Sequence, residues 1–302
     1  KTRRHQAWFE AALGRPIFAA ICALRRRGTP PGRDPWLLGV AVLCVLTALY
    51  AMFIEPNRLQ TRFETARAPQ WSAGQRFRIA HISDLQTTGP SRQNDRALAA
   101  INALDADLII FTGDYMAGPF NDIKPAADAA HAFLAGLRSK HGVLCVEGHS
   151  ETLNEWPLIF AGLPGTVRFL QDQWWEKEIA PGRRLRVFGA RVHDPDLSAL
   201  EVRDASGAMT ILASHVPDIP FDIKPGTVDL HLAGHTHGGQ VVVPFYGPPI
   251  TLSSLPRSMS RGFFRIADHH LNICAGIGME GNHAPPVRLF CPPEICVIDI
   301  VQ

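Results

Sequence analysis

Residues 77–114 read FRIAHISDLQTTGPSRQNDRALAAINALDADLIIFTGD, and their hydrophobic pattern decides the fold class. The run 77–83 (FRIAHIS) is apolar, of strand length, and ends at Asp84. Over 91–104 the period changes, with Ala97, Leu98, Ile101 and Leu104 at helical spacing. The run 107–112 (DLIIFT) is a second buried-strand segment, ending in Gly113 and Asp114. Working outward, 126–137 is again helical, and 142–146 (GVLCV) is a third strand closed by Glu147, Gly148 and His149. This alternation predicts βαβ units with parallel strands, the mark of an α/β core.

Beyond Leu163 the character changes. Short strands are expected over 167–170, 174–179, 184–188, 209–213, 228–233, 240–243, 262–266, 270–275 and 295–301, with little helix between them. An α/β first half and a strand-rich second half predict two stacked sheets with helices outside. No internal repeat is evident.

Ahead of this core, 36–54 (WLLGVAVLCVLTALYAMFI) carries no charge and matches the thickness of a bilayer core. Trp36 and Tyr50 stand near its ends, where interfacial aromatics belong. A buried core helix of this kind would need apolar cover on every side. The run is also longer than the h-region of a cleavable signal and lacks a clear small-residue cleavage site. The expected organisation is a basic segment at 1–35, a transmembrane helix at 36–54, a polar tether at 55–75 and a folded domain at 76–302. Residues 16–24 are too short to span and suit an interfacial helix instead.

The formal net charge of +2 argues against a nucleic-acid partner. The basic excess is concentrated at the start, in Lys1, Arg3, Arg4, Arg15, Arg25, Arg26, Arg27 and Arg33. With one span, those residues place the N-terminus in the cytoplasm and the folded domain outside it, as a single-pass membrane protein. The six cysteines lie at irregular positions without a CxxC pair, which argues against a cysteine zinc site.

The polar residues carry the functional signal. Asp84, Asp114 and His149 each follow the end of a hydrophobic strand, the rim where α/β proteins collect their ligands. Ser214 and His215 follow a later strand, and Gly234-His235-Thr236-His237-Gly238-Gly239 follows another. Five strand ends delivering carboxylates and imidazoles to one edge form a metal-site pattern.

In order, IAHISDLQ, FTGDY, VEGHSE, LASHVPD and LAGHTHGGQ resemble the calcineurin-like metallophosphoesterases. The nearest likeness is to their membrane-associated bacterial branch, through Gly276-Ile277-Gly278, Val287-Arg288 and Cys291-Pro292-Pro293-Glu294-Ile295. The resemblance implies a four-layer αββα sandwich of two mixed sheets and a dinuclear phosphoric ester hydrolase. Two divalent metal ions, manganese, iron or zinc, would share Asp114. Asp84 and His237 would serve the first metal, and His215 and His235 the second. The family's chemistry uses both ions to hold a hydroxide in line with phosphorus and to offset charge on the phosphoryl oxygens.

Three positions depart from the family pattern. Gln86 stands where the first motif has histidine. Aligned without gaps, His149 stands where the third motif has asparagine, and Ser150 where it has the histidine that contacts the transferring phosphoryl group. A shift of one residue would place His149 at that catalytic position, with Gly148 replacing the asparagine. In the gap-free reading, the second site holds Asp114 with His149, His215 and His235, and the first holds Asp84, Gln86, Asp114 and His237. The residues expected in catalysis are Asp114, His149, Ser150 and His235. Loss of the leaving-group histidine favours substrates with good leaving groups. His283 is expected within reach of the site as a replacement, and Arg257 and Arg261 are candidates for a substrate phosphate. The expected substrate is a phosphorylated small molecule or lipid-linked phosphate bearing a phosphomonoester, phosphodiester or pyrophosphate bond. The competing reading is a membrane-anchored, catalytically weak relative that binds metal and phosphate.

Overall fold

The computed structural model describes residues 35–74, 76–117, 122–152, 154–200, 207–219, 223–281 and 285–302. Helix α1 (Pro35–Leu49) runs on through a π-helical turn (Tyr50–Ile54) into a 3-10 turn (Glu55–Asn57). Pro56 stops it there, because its ring removes a backbone donor and crowds the preceding turn. Residues 38–57 form one helix long and apolar enough to cross a membrane, with mean hydropathy 2.2. Its side chains face outward: Leu38, Val42, Leu43, Val45, Leu46 and Leu49 are all exposed. Such a helix is not the core of a globular domain, and it stands as a candidate membrane span. The basic segment and the interfacial helix expected ahead of it fall mainly on 1–34, outside the described residues.

The elements that follow are β1 (Gln60–Arg67), β2 (Phe77–Ile82), α2 (Arg92–Asn102), β3 (Leu108–Phe111), α3 (Lys124–Gly136), β4 (Val143–Val146), α4 (Trp156–Phe160) and β5 (Val167–Leu170). Then come β6 (Gln173–Ala180), β7 (Arg183–Gly189), β8 (Met209–Ala213), β9 (Leu230–Ala233), β10 (Gly262–Ile266), β11 (His269–Ile273) and β12 (Glu294–Val301). One six-stranded sheet has the order β1-β12-β2-β3-β4-β5, and the other β10-β11-β9-β8-β7-β6. Both are mixed. β2 through β5 run parallel while β12 is antiparallel to β2, and β7, β8, β9 and β11 run parallel between antiparallel edges.

The continuous apolar runs of β2, β3 and β4 follow from burial on both faces. Ile79, Leu108, Ile110, Leu144 and Val146 point between the sheets, against Leu185, Val187, Met209, Ile211, Leu230 and Leu232. Their neighbours Ala80, Ile82, Ile109, Phe111, Val143 and Cys145 pack under α2 and α3 through Ala97, Ile101, Ala126, Ala130 and Phe133. Each fully buried Ile or Leu of these layers contributes about 1.5–3 kcal/mol. The outer face of the second sheet carries smaller clusters around Phe188, Leu200 and Leu212 and around Leu255, Leu271 and Ile273. The architecture is the expected αββα sandwich. Among the described residues, its second outer layer is built of short 3-10 turns and loops.

Two expectations are corrected. Residues 55–75 are not a free tether, because Gln60–Arg67 pairs in parallel with the whole of β12, from Gln60 opposite Glu294 to Arg67 opposite Val301. Trp71 is buried beyond it; its indole donates to the Arg184 carbonyl at 2.9 Å, with the Arg183 guanidinium over the ring. Residues 240–243 do not form a regular strand. They make only isolated bridges, Val241 to Leu289 and Val243 to Gly247, because a tight turn at 243–247 takes the chain away from the sheet.

Candidate metal centre

The C-terminal ends of β2, β3 and β4 meet those of β8 and β9 along one rim. Asp84 leaves β2 with φ 51° and Asp114 leaves β3 with φ 60°. Gln86, His235 and His237 also sit at positive φ. Left-handed backbone at five non-glycine residues of one rim is strain of the kind that gathers at functional sites. Glycines let the loops close: a Cβ on Gly148 would strike the Asp114 backbone, and one on Gly234 would strike Ser83 and Asp84.

Asp114 is the hub. Its Oδ1 accepts from the backbone N–H groups of His149 (2.7 Å) and Ser150 (2.9 Å) and lies 3.3 Å from His215 Nε2. Its Oδ2 accepts from Gln86 Nε2 at 2.7 Å. Asp84 accepts from the His235 N–H at 3.1 Å, and its Oδ1 lies 3.4 Å from His237 Nε2. Candidate ligand atoms of Asp84, Asp114 and His237 fall within 4.8 Å of one another, and those of His149, His215 and His235 do the same. Two donor groups thus touch through Asp114.

Second contacts orient the imidazoles. His215 Nδ1 is 2.8 Å from the Thr112 carbonyl, which directs its Nε2 at Asp114. His235 Nε2 lies 3.0 Å from the Leu252 carbonyl, leaving Nδ1 to face the cluster. Burial lowers His235 to about 4, helped by the positive His215, and lowers His237 to about 3, helped by Arg288. Both are neutral at pH 7, the form that ligates metal. Burial raises Asp84 to about 7, reinforced by Asp114 and opposed by His215. Burial would raise Asp114 too, but the His215 imidazole and the Ser150 N–H hold it below the usual carboxylate range.

This donor set fits divalent metal. Gln86 Oε1 is buried without a hydrogen-bond partner, a costly state that a coordinated cation relieves, and His215 Nε2 and His237 Nε2 face Asp114 and Asp84 across gaps of 3.3 and 3.4 Å. Gln86 turns its amide nitrogen toward Asp114 and toward Ser150 Oγ at 3.1 Å, so its oxygen is the atom left over.

All seven residues singled out for metal, Asp84, Gln86, Asp114, His149, His215, His235 and His237, come to this rim. His283 lies outside the described residues. Arg257 rests over the Tyr246 ring at 4.6 Å, and Arg261 packs beside Gly238. His81 is a satisfied core residue, 2.9 Å from Thr112 Oγ1 and 2.6 Å from Asn272 Nδ2. His269 and His270 both lie in β11, where His269 is buried. Two further residues belong to the neighbourhood. The His193 ring is 5.2 Å from that of His149, brought there by the loop after β7. Arg288 is fully buried and donates to the carbonyls of Ala275 (2.7 Å), Gly276 (3.2 Å), Gly278 (2.6 Å) and Cys291 (3.1 Å). It thereby holds the strip whose Ile277 and Gly278 N–H groups bond Ser83 and Asp84. The Val287-Arg288 motif flagged this arginine; nothing local flagged His193.

Buried carboxylates joined to imidazoles on the rim of a double sheet are the donor set of a candidate metal centre. No protein-family model matches the chain. It is similar to the uncharacterized metallophosphoesterase YkuE of Bacillus subtilis, 27% identical over 262 residues covering 83% of this chain and 88% of that one. It is also similar to the phosphodiesterase YaeI of Escherichia coli, 27% identical over 241 residues covering 74% and 82%. The UDP-2,3-diacylglucosamine pyrophosphatase LpxG of Chlamydia muridarum is 23% identical over 320 residues covering 87% and 95%. Over most of its length, then, the chain is similar to curated bacterial metallophosphoesterases.

Proposed function

We propose that this protein is a membrane-anchored, two-metal phosphoesterase that cleaves phosphodiester or pyrophosphate bonds with good leaving groups. The observation that carries the reading is the pair of donor groups joined through Asp114. Asp84, Asp114 and His237, with Gln86 beside them, would hold one divalent cation. Asp114, His149, His215 and His235 would hold the other. Bound there, the cations supply Lewis acidity toward the phosphoryl oxygens and activation of the attacking water. The chain's own part is to fix their ligands: Thr112 and Leu252 aim two imidazoles, and the N–H groups of His149 and Ser150 fix Asp114. Ser150 Oγ accepts from Gln86 and contributes no imidazole to a departing oxygen.

Manganese-loaded protein is therefore expected to hydrolyse chromogenic phosphodiesters, with a rate that falls steeply as the leaving group's pKa rises. A shallow dependence would show that another residue supplies the proton, and His193 is then the first to replace. The alternative, a metal- and phosphate-binding relative without turnover, draws on the hydrogen bonds by which Gln86 already occupies Asp114 and Ser150. Metal retained without turnover in that assay selects it.

The exposed apolar helix and the basic residues ahead of it support a single pass with the catalytic domain outside the cytoplasm. A reporter fused after Gln302 is expected to be active outside the cytoplasm only.

A further inference from the structure

The segment after the histidine loop is unusual for a water-facing surface. Residues 241–256 (VVVPFYGPPITLSSLP) contain no charged side chain. The Phe245 ring is fully exposed, and Tyr246, Ile250 and Leu252 are about half exposed, at 58%, 51% and 49%. Phe245 also sits at φ 65°, at the tip of the turn closed by the Val243 N–H on the Gly247 carbonyl. A strained backbone that holds an aromatic ring in solvent gains nothing from water.

This loop is physically continuous with α1. The Val242 N–H donates to the Leu289 carbonyl at 2.9 Å, and the neighbouring Arg288 N–H donates to Ala51 in the helix end at 3.0 Å. The Cys291 N–H donates to the Glu55 carboxylate at 2.5 Å. Phe290, on the same strip, and Phe53 and Ile54, at the end of the helix, are likewise exposed. Single exposed apolar residues need no explanation, but a contiguous set joined to a candidate span does. The far end of the loop reaches the metal centre, where the Leu252 carbonyl meets His235 Nε2. Arg257 lies over Tyr246, an aromatic and a cation together as interfacial anchors are.

We propose that the 243–252 loop, with Phe290, is a lipid-docking face that seats the mouth of the metal centre on the bilayer from which α1 emerges. The site would then take its phosphate from an amphiphile held in that bilayer. This deepens the membrane-anchored phosphoesterase reading and rests on it for the substrate, though not for the docking.

The test uses the full chain in vesicles of phosphatidylcholine with a minority of phosphatidylglycerol. In a Cys22→Ala, Cys44→Ser background, a bimane label is placed through Phe245→Cys or, separately, Tyr246→Cys. Both labels are expected to be quenched by lipids brominated high on the acyl chain. A label through Arg138→Cys, in the exposed loop between α3 and β4 at the strand ends opposite the metal rim, should remain unquenched. Absence of quenching at both loop positions overturns the proposal. So does protection that appears in lipid-free detergent with rising protein concentration, which would assign the face to a second copy of the chain. In the kinetic arm, Phe245→Ser with Tyr246→Ser should lower kcat/KM about tenfold or more on a vesicle-borne lipid pyrophosphate, from lost apolar burial. The same variant should leave kcat/KM on a soluble chromogenic phosphodiester unchanged. Equal loss on both substrates counts against docking. Quenching without any turnover would keep the docking face and reject the phosphoesterase reading.

Discussion

At the scale of single residues, the rim is asymmetric. One donor group is rich in imidazole, whereas the other depends on two carboxylates, His237 and a neutral amide. Gln86→His should therefore raise manganese affinity at the weaker site by about tenfold, within the range that ligand changes usually produce. Equilibrium dialysis with metal analysis checks this, and equal retention of two metals by the parent chain would remove the basis for it. These residues were legible in the sequence because each follows a hydrophobic strand, and parallel strands must bring such ends to one edge. His193 was not legible, because its place beside His149 depends on the path of a loop that no periodicity records.

At the scale of elements, Arg288 links the end of the helix to the metal centre, through its N–H to Ala51 and its side chain to the 275–278 strip. Lysine cannot replace Arg288, since a single ammonium lacks the planar fork that reaches four carbonyl groups. Arg288→Lys should destabilise the fold by about 2–4 kcal/mol by leaving buried acceptors unmet. The folded fraction should also lose metal from the Asp84 site; a lower melting temperature with metal fully retained would contradict that coupling. Strands β2, β3 and β4 were readable because burial on both faces makes a strand uniformly apolar. β1 was not, because it is a mostly exposed edge strand with the polar sequence QTRFETAR. Residues 240–243 misled for the opposite reason: their valines look like a strand but serve a loop.

At the scale of the whole molecule, β12 is inserted between β1 and β2. Its register against β2 is clamped by Arg78, whose Nε and Nη2 donate to the two oxygens of Asp299 at 2.8 and 2.9 Å. The Arg78 hydrogen bonds, with its charge in support, hold the Asp299 carboxyl below its ordinary range against a modest opposing effect of burial. A depressed folded-state pKa gives stability that is present above the unfolded value and lost as pH falls through the folded one. Because the pair is partly exposed and screened by solvent, Asp299→Asn should cost no more than about 0.5–1 kcal/mol at pH 7. The difference from the parent should vanish once acid has protonated Asp299, and denaturant titrations at neutral and acidic pH measure both limits. The central position of β12 also sets the order of assembly. α1, the candidate span, is translated well before the last strand. The first sheet, however, lacks an interior strand until residues 294–301 have emerged. Until then β1 has no strand to pair with and β2 has one bare edge, so the nascent domain must wait for its closing strand.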